Sequence, residues 1–196
     1  MAVGFLQNYL VGLANSIQTE LEEIDTEVIL DIKEFGTDGE QKTYQTYEDF
    51  TQRVFRRLGD TNRTLTDLVH QLDQFAYSTP AEPETAKSLA KQLQETVEFL
   101  LALLREITDS RPPSAFACAH ITLRDSIHTY ITDLLVFIRE VEETLVSPER
   151  SHRLTMNLKI TRMDEFWSEF EQAWRRCVRK SGDGRDAGPG GASSRG

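Results

Sequence analysis

Apolar side chains recur along this chain in steps of three and four, the spacing that gathers them on one face of an α-helix. Val3, Leu6, Leu10, Leu13 and Ile17 open the first series, and Leu21, Ile24, Val28, Ile32 and Phe35 extend it. Together they predict one long helix, closed by the turn-forming run Gly36-Thr-Asp-Gly39. A second series is more regular. Tyr44, Tyr47, Thr51, Val54, Leu58, Thr61, Leu65, Leu68, Leu72 and Phe75 hold a seven-residue repeat until Thr79-Pro-Ala-Glu-Pro83 interrupts it. The two threonines on this stripe set register or leave room for a larger residue opposite.

A third helix is predicted from about Glu84 to Asp109, with Leu89, Leu93, Val97, Leu100, Leu104 and Ile107 on one face and further leucines at 101 and 103. An apolar face of that width points to a central position. After Arg111-Pro-Pro113, Ser114 is placed to cap a fourth helix carrying Phe116, His120, Leu123, Ile127, Tyr130, Leu134, Phe137 and Val141, and Ser147-Pro148 ends it. Met156, Ile160, Met163, Trp167, Phe170, Trp174 and Cys177 give a fifth. From Ser181 onward no apolar period remains, so residues 181–196 read as a flexible Gly/Ser/Arg tail behind a 1–180 helical domain.

No strand survives the period test. At 1.5 Å per residue the helices are each about 40 to 50 Å long, and short connections favour antiparallel neighbours. The predicted fold is therefore all-α: an elongated up-and-down bundle of about five long amphipathic helices with coiled-coil-like packing.

Charge refines this picture. The net charge of −10 disfavours nucleic acid as a partner, because phosphate neutralisation needs a surplus of Lys and Arg. The distribution is uneven: residues 1–35 hold one Lys against seven acids, whereas residues 150–180 hold eight Lys/Arg against four acids. One expectation is that the acidic half of helix one (Glu20, Glu22, Glu23, Asp25, Glu27) lies near basic helix five. Another is that Arg175, Arg176, Arg179 and Lys180 form a basic patch for an acidic partner or a phosphoinositide head group. Their place in the last turns of a helix is also favoured by the helix dipole, with no partner involved.

The first nineteen residues carry no charged side chain, but Gln7, Asn8, Asn15, Ser16 and Gln18 break the apolar run. A spanning helix needs roughly 20 mostly apolar residues, and no basic region precedes this one, so a cytoplasmic or nuclear chain is expected. Cys118 and Cys177 stand apart from any metal-ligand spacing and read as reduced, partly buried thiols.

Little points to catalysis. No Gly-rich phosphate loop, Gly-x-Ser-x-Gly or His-Glu-x-x-His occurs, and no nucleophile is paired with a base, so the chain reads as non-enzymatic and free of cofactors. Glu149-x-x-His152 and Asp125-x-x-His128 have helical metal-ligand spacing but lack the inward glutamates that a di-iron bundle draws from its other helices, so no metal is expected. His120 occupies a core position and needs a hydrogen-bond partner there; a pH-sensitive role is the lesser reading. Ser181 follows Arg179-Lys180, where a phosphate would oppose the basic patch.

Residues 162–176 raise the sharpest question. Phe166, Trp167, Phe170 and Trp174 crowd into nine residues, and Phe166 beside Trp167 gives more aromatic width than a narrow seam needs. Enclosure by the bundle is favoured over an interface, with Phe166 and Trp174 the candidates for partner contact. The sequence thus supports an adaptor, scaffold or regulatory subunit that binds another protein or a second copy of itself. The alternative is a peripheral membrane-binding protein that uses Phe5, Leu6, Tyr9, Leu10 and Leu13 together with the basic end of helix five.

Overall fold

A computed structural model describes residues 1–33, 44–77, 82–112, 116–146, 168, 170–176 and 179. Four long helices account for most of them: α1 (Ala2–Lys33), α2 (Tyr44–Tyr77), α3 (Pro83–Asp109) and α4 (Ala117–Val146). Residues 170–176 continue a fifth, α5, in helical conformation. The punctuation expected to end α1 and α2, Gly36 to Gly39 and Thr79-Pro80, lies outside the described residues. α3 starts on Pro83 itself, one residue before the expected Glu84, because a proline at the first helical position gives up only an N–H that would be unpaired anyway. Ser114, expected as the α4 cap, lies outside the described residues, as does the 181–196 tail.

Cross-helix pairs fix the directions. Tyr9 bonds Gln94 while Arg105 pairs with Glu20 and Glu23, so α1 and α3 run the same way. His128 meets Asp25 and Arg139 donates to Gln18, so α4 runs against α1. Arg57 stacks over Phe99 while Arg53, one turn earlier, pairs with Glu106, so α2 runs against α3. On α5, Phe170 lies on Phe55 and Trp174 on Tyr47, reversing direction relative to α2. The chain therefore alternates up and down through all five segments.

Neighbourhood does not simply follow chain order. α1 packs chiefly on α3 and α4, α2 packs chiefly on α3, and α1 and α2 do not lie side by side. The wide apolar face of α3 explains this, since Leu89, Leu93, Val97, Leu100, Leu101, Leu103, Leu104 and Ile107 are all buried and serve α1, α2 and α4 together.

The heptad stripes are the core. On α2, every stripe position from Tyr47 to Phe75 is buried, and Phe50, Phe55 and Val69 widen the face beyond the stripe. Thr51 and Thr61 are buried without loss, because their hydroxyls donate to the Glu48 and Arg57 carbonyls of their own helix. On α1, Leu6, Leu10, Ile17, Leu21 and Ile24 are buried while Val3 and Leu13 are partly so; Val28, Ile32 and Phe35 lie outside the described side chains. Cys118 differs from expectation. It is exposed, because two residues beyond the inward Phe116 a helix has turned about 200°.

Candidate functional site: the aromatic end of the bundle

One end of the bundle collects the start of α2, the close of α3, the start of α4 and the described part of α5. The central group is Tyr47, fully buried on the α2 stripe. Its ring lies 5.6 Å from Phe116, 6.0 Å from Phe50 and 5.9 Å from Trp174, the last at an interplanar angle of 17°. Trp174 also approaches Phe116 to 4.3 Å, and Phe170 approaches Phe55 to 4.6 Å. Aromatic pairs at such distances add to the gain from burial alone.

His120 sits beneath this layer at 8 % exposure. Its Nδ1 is 2.9 Å from the Tyr47 hydroxyl and its Nε2 is 2.9 Å from the Ile107 carbonyl oxygen. A carbonyl only accepts, so Nε2 carries the proton, and Nδ1 accepts from the Tyr47 O–H. The Ile107 carbonyl also accepts the Ser110 N–H that closes α3. One imidazole thus joins the start of α2, the end of α3 and the start of α4, the outcome expected of a satisfied core histidine.

The sequence-predicted site residues divide across this end. Trp174 is half-buried against Tyr47 and Phe116, whereas Arg175, Arg176 and Arg179 are exposed. At roughly 100° per residue the three arginines fall within an arc of roughly 100°, turned away from Phe170. Arg175 is engaged with Glu171 of its own helix at 2.7 Å. Phe166, Lys180 and Ser181 lie outside the described residues, as do Trp167, His152 and Cys177.

The expected pairing of acidic α1 with basic α5 is not what the described residues show. Glu20 and Glu23 face Arg105 of α3 at 3.5 and 3.4 Å, and Asp25 faces His128 of α4 at 3.1 Å. The reason is position: α1 packs on α3 and α4, while the described part of α5 sits on α2 and the start of α4.

Reading strict heptads missed one residue of the α5 seat. Phe55, which receives Phe170, falls beside the α2 stripe, and the signal that would have found it is an aromatic directly after Val54 of the stripe. The Asp125-x-x-His128 pair lines a small cleft with Ile24, Asp25, Leu104, Arg124 and Thr129. Asp125 is held by Arg124 at 2.9 Å and His128 by Asp25, and no group of three or more metal-ligating side chains converges among the described residues.

Comparison with protein-family models, with curated proteins and with solved structures gives no match. The site therefore has to be read from its own chemistry. No described helix is long and apolar enough to cross a membrane.

Proposed function

We propose that this chain is a non-enzymatic interaction protein, a helical scaffold that recognises an acidic surface on a protein partner. The observation that carries the reading is the division of α5. Phe170 and Trp174 fasten it to the aromatic end of the bundle, and Arg176 and Arg179 are left exposed on the other side, with no ion pair to either among the described residues. The planar guanidinium fork is pre-organised for carboxylates, so less freedom is lost per hydrogen bond formed, which suits recognition. Arg175 adds to this surface, and Lys180 adds a further cation to the same run of sequence, beside which a phosphate on Ser181 would weaken recognition; Phe166, the other sequence candidate for partner contact, lies outside the described residues. The non-enzymatic part rests on a sequence without a paired nucleophile and base.

The test is affinity capture with the wild-type chain and a triple Arg175→Glu, Arg176→Glu, Arg179→Glu variant in parallel. A protein retained by the first and lost by the second supports the reading, and identical capture profiles contradict it.

A membrane-surface function is favoured by a different observation. Phe5 is 44 % exposed and Val11 37 % exposed on the outer face of an α1 segment that carries no charge through residue 19. Co-sedimentation with anionic and neutral vesicles separates the two readings: binding lost in Phe5→Ser would favour the membrane, and binding absent from both vesicle types would remove it.

A further inference from the structure

The seat of α5 has the form of a helix-recognition groove, with its walls on α2 and α4. Phe55 receives Phe170, while Tyr47 and Phe116 receive Trp174. The occupant is thus an amphipathic helix presenting two aromatic residues four apart, the spacing that puts both on one face. Among the described residues of α5, only Phe170, Ala173 and Trp174 pack on the core. α1, α3 and α4 pack directly on one another, and α2 packs along α3, without α5 between them.

We propose that this groove also accepts the fifth segment of a second copy of the chain, so that two molecules exchange these arms. Reach permits it. Residues 147–167 separate α4 from the seated part of α5, a stretch of 21 residues. Nine extended residues ahead of Met156 reach about 30 Å and twelve helical ones add about 18 Å, together just over the roughly 45 Å length of α4.

Charge complementarity selects the partner. Residues 1–149 contain twelve Lys/Arg and twenty-six acids, a net of −14, whereas residues 150–180 carry a net of +4. Two bodies of that charge repel each other, and the segment of a second copy best suited to approach is its basic arm. In the exchanged pair each copy's Phe170 and Trp174 take the places that the chain's own two side chains fill here. This exchange uses the inner face of α5 and does not depend on recognition by Arg176 and Arg179.

The probe is a fluorescein-labelled peptide of residues 164–180, titrated into the full-length wild-type chain and into a full-length Phe170→Ala, Trp174→Ala variant. In the wild type the resident arm competes at an effective concentration in the millimolar range. The variant is expected to bind the peptide at least about tenfold more tightly than the wild type, because its resident arm has lost the two aromatic anchors that compete for the seat. Adding Phe116→Ala to that variant is expected to return binding to the wild-type level or below.

Equal binding to both full-length chains would overturn the proposal, as would no binding to a variant whose far-ultraviolet circular dichroism shows its helices intact. Loss of helix in the variant would overturn it too, because exchange requires α1 to α4 to stand while the arm is out. Amide exchange on the wild type gives an independent check. Residues 170–176 are expected to exchange at least tenfold faster than the core of α3, and equal protection would contradict an exchangeable arm.

Discussion

The Tyr47 hydroxyl stands 2.9 Å from Nδ1 of His120, 73 positions further along the chain, and the opposite ring nitrogen reaches the Ile107 carbonyl at the close of α3. Removing the hydroxyl takes away the donor that faces a buried acceptor, which costs about 1 to 3 kcal/mol. Tyr47→Phe is accordingly expected to destabilise the chain by that amount in urea unfolding. The double variant Tyr47→Phe, His120→Phe should lose less than the sum of the single variants, since the two groups form one unit. Strict additivity would show that the hydroxyl and the imidazole do not act together.

Tyr130 gives the fold an alkaline sensitivity. Burial holds its hydroxyl well above the ordinary tyrosine pKa, and the hydroxyl donates to Asn62 Oδ1 at 3.4 Å. The folded chain therefore keeps this proton after the unfolded chain, with a tyrosine pKa of about 10, has released it. The stabilisation is whole below about pH 10 and is lost as pH rises toward the folded value. Unfolding free energies measured from pH 9 upward should fall more steeply in the wild type than in Tyr130→Phe. Parallel curves would mean that Tyr130 titrates as if exposed.

Leu104 and Arg105 are chain neighbours with opposite energetic weight. Leu104 is 0 % exposed on the face of α3 that serves the core. Arg105 reaches Glu20 and Glu23 at 3.5 and 3.4 Å on the surface. Leu104→Ala should cost about 2 to 5 kcal/mol through lost contact and a residual cavity. Arg105→Ala should cost under about 1 kcal/mol, less still at high salt. Similar losses at the two positions would require the charges to hold α1 in place.

Cys118 lies on the outer face of α4 and is expected to react with a thiol reagent while the chain stays folded. In a Cys177→Ser background, one equivalent of reagent should be consumed without denaturant and with no loss of helical signal. A thiol that reacts only after unfolding would place Cys118 inside the bundle.

The α-helical bundle and the alternation of its directions are legible in the sequence because each helix repeats its apolar spacing over many turns. Leu89 to Ile107 even discloses the central place of α3, through leucines on both sides of the stripe. Adjacency is a different kind of information. Whether α1 meets α2 or α3 depends on how the widths of several apolar faces match, and no local pattern states that. The same limit applies at the aromatic end. His120 announces its need for a partner, but Tyr47 and Ile107 are supplied by two other helices. Phe170 and Trp174 could be assigned to an inward stripe, yet Phe170 is received by Phe55, which a strict seven-residue repeat leaves out. Cys118 was misread for a related reason: lying within an apolar series does not place a residue on its inward face.

The anchoring of α5 through Trp174 on Tyr47 and Phe116 is tested most directly by tryptophan emission. In a full-length Trp167→Phe chain, Trp174 is the only emitter, and the signal is read on the size-exclusion peak with its mass measured by light scattering. At micromolar concentration the account predicts a blue-shifted emission that resists acrylamide quenching, both from a single chain of 22.4 kDa and from an arm-exchanged pair of twice that mass, and a red shift on Tyr47→Ala. A red, readily quenched emission that ignores Tyr47→Ala would contradict it.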